Sequence, residues 1–214
     1  MPKLKPDTQR ARRERILDAA ELCFARAGFH RTTMQHICRE AGISPGALYV
    51  YFASKEDLIA GIVERDRAKL AAELAELSKE PDLLSALAKL GEHYTMEEPQ
   101  HKRVLGLEIG SEATRNPAVN ETFSSVDEFC RKSFEQVFER AIRDGKIKPQ
   151  DDPRTLSEVI SLIGDGLFWR RAVDPNFDVQ RYLPVIVRLV GTLLNPVEPG
   201  AEIAPAPTKS KARV

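Results

Sequence analysis

The sequence contains few cysteines and no long apolar run. Its three cysteines, Cys23, Cys38 and Cys130, are widely spaced and lie in apolar helical patterns, so we expect reduced packing residues rather than disulfides. A redox switch would need two nearby cysteines or a setting that lowers a thiol pKa, and neither is evident. No stretch approaches the roughly 18 to 20 apolar residues of a membrane-spanning helix, and the N-terminus lacks the apolar segment of an export signal. We therefore expect a cytoplasmic protein without a membrane partner.

Sequence patterns of enzymes and metal sites are also missing. The chain has no Ser-His-Asp order, no paired histidines and no glycine loop that would cradle a phosphate. His93, Glu97 and His101 are close in sequence, but Pro99 separates the two histidines and no HxxxH-type spacing exists. We therefore expect no catalytic residue, no metal and no cofactor.

Strand patterns are absent, and helical patterns separated by proline fill the chain instead. The predicted helices span residues 12–28, 34–41, 45–52, 55–78, 82–97, 101–114, 117–144, 153–172 and 179–194. Pro184 lies within the last pattern, so that helix either begins there or kinks. The predicted fold is all-α with about nine helices, in which a helix of ~35 Å joins an N-terminal three-helix unit to a C-terminal antiparallel helical bundle.

The net charge is zero, with 32 Lys and Arg against 32 Asp and Glu, but the charges are unevenly distributed. Residues 3–15 carry six basic and two acidic residues. We interpret residues 1–11 as a disordered basic arm that lies along a phosphate backbone. Residues 196–214 are rich in proline and alanine, and we expect a disordered tail there.

Two short helices around a tight turn are predicted in the segment 33–52. Thr33 can cap the first helix, Gly42 can adopt the left-handed conformation that ends it, and Ser44 followed by Pro45 can open the second helix. This order of residues is typical of a helix-turn-helix, in which the second helix enters the major groove of DNA.

Leu48 and Phe52 face inward from the second helix, which leaves Tyr49 and Tyr51 exposed. Tyrosine hydroxyls can reach phosphates and the rings can contact thymine methyl groups. Lys55 lies in the first turn of the next helix, where it can also reach a phosphate. The predicted DNA-contacting residues are Thr33, Gln35, Ser44, Pro45, Gly46, Ala47, Tyr49, Tyr51 and Lys55.

The sequence AGISPGALYVYFASKEDL resembles the signature of the tetracycline-repressor (TetR) family of bacterial transcription regulators. The resemblance extends upstream through RILDAAELCFARAGFHRTT and covers residues 12 to 60. His36 departs from the family, because many relatives carry an acidic residue there that completes a capping box, so we expect a weaker cap. The resemblance implies a DNA-binding domain at 12–60 and a ligand-binding and dimerisation domain at 61–195.

The helix that begins at Pro117 has an apolar band wider than one stripe. Such a band is typical of a packed core, but the resemblance implies a ligand chamber among these helices. The two interpretations remain open at this point. The candidate ligand-binding residues are Tyr94, Met96, Leu107, Phe123, Phe129, Phe134 and Trp169.

The last two predicted helices are apolar on nearly all sides, so we expect them to meet their own symmetry copies in a four-helix interface. The resemblance implies the same mode of dimerisation. The candidate interface residues are Leu156, Ile160, Ile163, Gly166, Leu167, Ile186, Val190 and Leu193.

These patterns together predict a homodimeric, sequence-specific DNA-binding regulator. Its partners would be a pseudo-palindromic operator and a small apolar effector that releases it, which makes it a repressor. The alternative is a ligand-independent protein that organises DNA with the same helix-turn-helix but little sequence preference. An α-helical enzyme has no support in the sequence.

Overall fold

The structure, a computed structural model, describes residues 6–77 and 79–197. Within these ranges it contains nine α-helices, a short π-helix and no strand apart from an isolated bridge between Ile147 and Pro196. The all-α prediction is confirmed. None of the helices in the described ranges combines the length and apolar character that crossing a membrane requires. Residues 1–5 of the predicted arm and residues 198–214 of the predicted tail lie outside the described ranges.

The helices agree closely with the predicted positions. They are α1 (Pro6–Ala27), α2 (Met34–Ala41), α3 (Pro45–Tyr49), α4 (Lys55–Leu77), α5 (Leu83–Glu92), the π-helix (His93–Glu97), α6 (Gln100–Ala113), α7 (Pro117–Arg143), α8 (Pro153–Val173) and α9 (Val179–Leu194).

The structure corrects the predicted start of the first helix and the predicted start of the tail, and it settles the alternatives left at Pro184. Helix α1 begins at Pro6, so residues 6–11, which we had assigned to a disordered arm, are helical. Pro184 lies inside α9, which therefore does not begin at that proline. The Val197 amide donates to the Lys146 carbonyl at 2.9 Å, so the first two residues of the predicted tail pair with the loop between α7 and α8.

Local capping chemistry determines where α2 begins and ends. The His36 amide donates to the Thr33 hydroxyl at 3.2 Å, and the Thr33 amide donates to the His36 Nδ1 at 3.4 Å. This capping box is complete, with an imidazole as the second acceptor, which corrects the expectation that His36 weakens the cap. Gly42 ends the helix with a φ of 64°, as predicted.

The apolar core consists of two clusters. The first joins α1, α2, α3 and the start of α4 to Leu105, Ile109 and Ala113 of α6 and to Val119 of α7. The second joins the end of α4 to α5, α7, α8 and α9. The helix-turn-helix therefore shares its core with a helix of the C-terminal bundle.

Gly61 permits a close approach between α4 and the helix-turn-helix. A Cβ atom at this position would lie 2.9 Å from Phe52 Cε1 and 3.0 Å from Leu17 Cδ2. Helix α4 consequently packs directly against α1 and the turn that follows α3.

Gly106 has the same role between α6 and α8, and its replacement should destabilise the bundle. A Cβ atom there would lie 2.7 Å from Phe168 Cε1, and overpacking of this kind costs about 1 to 3 kcal/mol. The helix propensity of alanine offsets at most about 1 kcal/mol of that cost. We expect Gly106→Ala to lower the free energy of unfolding in urea.

Gly110→Ala is the matched control on the same helix, because the nearest atom to its Cβ would be Phe123 Cε2 at 3.9 Å. We expect this variant to gain about 0.5 to 1 kcal/mol from helix propensity alone. An equal gain in both variants would contradict the tight contact between Gly106 and Phe168.

Candidate DNA interface and ligand cavity

Helix α3 is the candidate reading helix. The Ser44 hydroxyl accepts a hydrogen bond from the Ala47 amide at 3.3 Å, and Pro45 occupies the first turn. Leu48, with no exposed surface, anchors the helix in the first core cluster. Tyr49 projects away from that core with 55% of its surface exposed.

The other predicted DNA-contacting residues surround α3. Thr33, Gln35, Ser44, Pro45 and Gly46 are exposed, and Ala47 is half-buried. Tyr51 differs from the expectation of two exposed tyrosines, because it is half-buried and packs against the first core cluster. Val50, which lies between the two tyrosines, is 79% exposed.

Lys55 makes contacts within the chain. Its Nζ donates to the Phe29 carbonyl at 2.5 Å and lies 4.1 Å from the centroid of the Phe29 ring. These contacts tie the start of α4 to the loop between α1 and α2. An ammonium group has three donors, so a lysine held in this way still has N–H groups for a phosphate.

The larger cavity of the bundle has a volume of about 400 Å³. Its walls come from α4, α5, the π-helix, α7, α8 and α9, and most of the lining side chains are apolar. Among the described residues that line it, only Asp127 and Asp165 carry a charge. The cavity is therefore an apolar chamber with two carboxylates. Its presence among these helices agrees with the ligand-chamber interpretation and not with a fully packed core.

A second cavity of about 240 Å³ adjoins the first. The two share lining residues of α4, the π-helix, α7 and α8, namely Leu70, Tyr94, Phe123, Val126 and Phe168. The smaller cavity has more charged residues along its wall, including Asp66, Arg67, Lys69, Glu98 and Lys102.

Burial affects the titratable groups around these cavities. The Tyr94 hydroxyl donates to Glu73 Oε2 at 2.7 Å, and burial together with that carboxylate raises the pKa of Tyr94. Burial, with Asp127 and Asp165 nearby, raises the pKa of the Cys130 thiol to about 11. The pKa of Asp165 is itself raised, first by partial desolvation and then by the charge of Asp127. The thiol in the chamber is thus protonated at neutral pH.

Three of the predicted ligand-binding residues, Tyr94, Phe123 and Phe134, line the larger cavity. Met96, Leu107, Phe129 and Trp169 line neither cavity, which corrects the prediction. Trp169 is 58% exposed on the outer face of α8, whereas its neighbour Phe168 lines both cavities. A step of one residue rotates a side chain by about 100° around a helix, so periodicity without the packing could not choose between them. The prediction also missed the apolar face of α5, which includes Leu84 and Leu87.

Helix α6 connects the smaller cavity to the helix-turn-helix. Its Glu108 Oε2 accepts from the Phe29 amide at 3.2 Å, and its Glu112 Oε2 lies 2.9 Å from His30 Nε2. Just after α6, the Asn116 amide group donates to Glu56 of α4 at 3.1 Å. Helix α6 therefore holds the loop that precedes α2.

A buried ion cluster lies where α1, α4 and α6 meet. Glu21 of α1 is 2% exposed and accepts from Arg65 of α4. Lys102 of α6 lies 3.1 Å from Asp66 and 4.0 Å from Glu21. Burial raises the pKa of Glu21, although Lys102 and Arg65 oppose this shift. Loss of Arg65 or Lys102 would leave the buried Glu21 carboxylate with less compensation, so the cluster keeps the three helices in register.

An apolar face covers the outer side of α8 and α9. Its large exposed residues are Leu162, Trp169, Val173, Tyr182, Val185 and Leu189. Side chains at these spacings lie on one side of each helix. We refer to these six residues as the outer apolar face.

Most of the predicted interface residues pack, at least in part, within the chain's own bundle. Leu156 and Val190 are buried in the second core cluster, and Ile160, Ile163, Ile186 and Leu193 pack against it. Leu167 lines the larger cavity, and Gly166 is the one member of the predicted set that is exposed. When a helix is apolar on all sides, its sequence pattern does not show which side faces the core.

Comparisons with known proteins agree with this architecture. The family described as bacterial regulatory proteins, tetR family, matches residues 16–62, and the description BetI-type transcriptional repressor, C-terminal, matches residues 84–195. The chain is 31% identical over 148 residues to the HTH-type transcriptional regulator UidR of Escherichia coli strain K12. The aligned residues cover 69% of this chain and 75% of UidR.

Two solved structures have the same fold along most of the chain. Salmonella enterica GusR matches with a TM-score of 0.72 and 29% identity, over 86% of this chain and 95% of GusR. A complex of SmeT with triclosan matches with a TM-score of 0.74 and 25% identity, over 92% of this chain and all of that chain (100%). SmeT is the repressor of a multidrug efflux pump of Stenotrophomonas maltophilia. With a family match at each end and a helix-turn-helix followed by an apolar chamber, the chain belongs to the TetR family of bacterial transcriptional regulators.

Proposed function

We propose that the protein is a homodimeric repressor that binds a pseudo-palindromic operator and leaves it when a small, mainly apolar effector enters the larger cavity. The observation that carries this proposal is the chamber of about 400 Å³ in the same chain as a helix-turn-helix. A ligand-independent DNA-organising protein has no need for such a chamber. The similarity to SmeT, whose structure contains triclosan, supports a small apolar effector.

The outer apolar face supports a homodimer. Large contiguous apolar surfaces are uncommon on monomers and mark interaction sites. A two-fold axis through this face would pair α8 and α9 with the same helices of a second copy. It would also present two α3 helices, which must lie about 34 to 36 Å apart to enter successive major grooves.

Contacts of α6 provide a route from effector to DNA. Leu105, Gly106 and Ile109 of this helix border the smaller cavity, and Phe168, which borders both cavities, packs on Gly106. A ligand that displaces Phe168 would therefore shift α6, and with it the loop that Glu108 and Glu112 hold. A coupling of about 1 to 3 kcal/mol corresponds to an about 5- to 150-fold loss of operator affinity.

The reading surface can be tested once the operator is known. Selection of DNA from a random pool with the pure protein should enrich one palindrome, whereas the ligand-independent alternative should enrich none. On that palindrome, we expect Tyr49→Ala to lower affinity about 10-fold or more without changing the unfolding temperature. Lys55→Ala should weaken binding to all sequences and reduce the slope of log affinity against log salt by about one.

Lys79→Ala is the control for the lysine, because Lys79 pairs with Glu76 at the far end of α4 and its side chain is mostly exposed. It should leave both affinity and slope unchanged. An unchanged salt slope in Lys55→Ala, together with a lower unfolding temperature, would show that Lys55 stabilises the fold through Phe29 and does not contact a DNA phosphate. Full operator affinity in both Tyr49→Ala and Lys55→Ala would show that the reading surface is misassigned.

The dimer can be tested on the outer apolar face. We expect Leu162→Glu or Leu189→Glu to yield folded monomers, because a charge in a desolvated contact is strongly unfavourable. Ile142→Glu is the matched control, since Ile142 is a partly exposed apolar residue of α7 outside this face. Analytical ultracentrifugation at micromolar concentration measures the mass. A stable dimer of folded Leu189→Glu protein would rule out this interface.

The coupling can be tested at Glu108, which holds the Phe29 amide. A screen of phenols, amines and acyl compounds for loss of operator binding first identifies an effector. We expect Glu108→Ala to bind that effector with unchanged affinity in the absence of DNA, but to be released less than the parent protein. By linkage, the operator should weaken effector binding by the same factor as the effector weakens operator binding.

Glu121→Ala removes an exposed carboxylate from α7 and is the control, with a normal response expected. Normal release of Glu108→Ala would mean that the signal does not pass through this contact. A compound that binds tightly in the chamber of the parent protein and never changes operator affinity would contradict the proposed function itself.

A further inference from the structure

Glu98 has a buried oxygen that lacks a partner. Its side chain is 10% exposed and borders the smaller cavity. Its Oε1 lies 3.2 Å from Lys69 Nζ, whereas its Oε2 is buried and has no hydrogen-bond partner within the described residues. Almost all buried polar atoms in proteins have a partner, and an unpaired acceptor destabilises the folded state. The atom is therefore available to accept a hydrogen bond from a donor outside the chain.

The backbone around Glu98 holds the carboxylate in place. The Glu98 amide donates to the His93 carbonyl at 3.1 Å, which closes the π-helix, and Pro99 follows. The Arg103 guanidinium donates to the Glu98 carbonyl. Short π-helices often occur at functional sites, and this one carries Tyr94, which lines both cavities. Glu98 thus belongs to a built wall of the smaller cavity.

The cations near Glu98 are already engaged. Lys69 is shared between Glu98 and Glu73, the latter at 3.9 Å. Lys102 lies 3.1 Å from Asp66. Arg67 is exposed and lies over the Phe129 ring, 5.5 Å from its centroid. A ligand carboxylate or phosphate would have to displace one of these contacts and would also face Glu98.

The larger cavity favours positive charge. Asp127 and Asp165 line it, and no basic residue is among its described lining residues. Its aromatic side chains, Tyr94, Phe123, Phe134 and Phe168, present ring faces that attract ammonium groups. Asp127 and Asp165 add two negative charges to this lining, and both residues are also open to solvent.

We propose that the effector is an apolar molecule with one protonated amine, and that an N–H of this amine donates to Glu98 Oε2 while the apolar body fills the larger cavity. The inference rests on the proposed function of the chamber and adds the chemical class of its ligand. Acids fit less well, because Asp127, Asp165 and Glu98 line the cavities and the cations near Glu98 already have partners. A quaternary ammonium has the charge but no N–H, so it leaves Glu98 Oε2 unpaired.

Three probes that share one biphenyl-butyl body separate charge from hydrogen bonding. They are the N,N-dimethyl tertiary amine, its N-methyl quaternary salt and the corresponding butanoate. We expect the full chain without DNA to bind the tertiary amine about 10-fold or more tightly than the quaternary salt, because hydrogen bonds to charged groups are strong. The butanoate should bind most weakly. Isothermal titration calorimetry measures the three affinities.

Glu98→Gln removes the charge and keeps the shape of the side chain. We expect it to lower affinity for the tertiary amine about 10-fold or more and to abolish the preference over the quaternary salt. Glu97→Gln is the matched control, because it removes a charge one residue away from a side chain that is 67% exposed. That variant should keep the preference.

Thermal unfolding without probe shows that the variant is folded, and we expect Glu98→Gln to unfold at the same or a higher temperature than the parent protein. If that variant fails to fold, Glu98→Met provides the same comparison. Equal affinity for the tertiary amine and the quaternary salt, or a preference that survives loss of Glu98, would overturn the inference.

The outcomes also separate this inference from the proposed function. If the tertiary amine does not bind at millimolar concentration while other compounds release the protein from its operator, the amine class is wrong and the proposed function stands. If the amine binds with the expected dependence on Glu98 but never affects the operator, the site is correct and the proposed repressor mechanism fails.

Discussion

The shared apolar cluster between the helix-turn-helix and α6 is the constraint on which the rest of the structure depends. Residues such as Leu17, Phe24 and Leu58 of the N-terminal helices are buried in the same cluster as Leu105 and Ile109. Close-packed interiors transmit displacement because they contain few voids. The reading helix is therefore linked to α6 through this shared cluster, and α6 in turn borders the smaller cavity.

Polar contacts give this junction a defined register, which apolar packing alone does not supply. The Glu21 and Arg65 pair, the contact of Lys102 with Asp66 and the bond from the Phe29 amide to Glu108 each require one relative position of two elements. Apolar surfaces are not directional, but hydrogen bonds weaken steeply with angle and distance. A junction of this kind is suited to two discrete arrangements rather than gradual deformation.

Helix α8 has different chemistry on its two sides, and this links the chamber to the outer apolar face. Phe168 and Ile160 line the larger cavity, whereas Leu162 and Trp169 are exposed on the outside. A rotation of α8 that accommodates a ligand would therefore also move the surface on which we place the second subunit. In the proposed dimer, the larger cavity and the spacing of the two reading helices would be coupled through α8.

The sequence by itself determined the number and order of the helices and the candidate reading helix, because caps, turns and proline positions act over a few residues. Thr33, Gly42 and Ser44 perform the predicted capping roles. Only the tertiary structure decided which side of a broadly apolar helix faces the chamber, the core or the outside. Val190 is buried within its own chain, Trp169 lies outside the chamber, and the unpaired oxygen of Glu98 is visible only once its neighbours are placed. The physical reason is that apolar burial is non-directional, so a helix that is apolar on all sides has no preferred orientation until it packs.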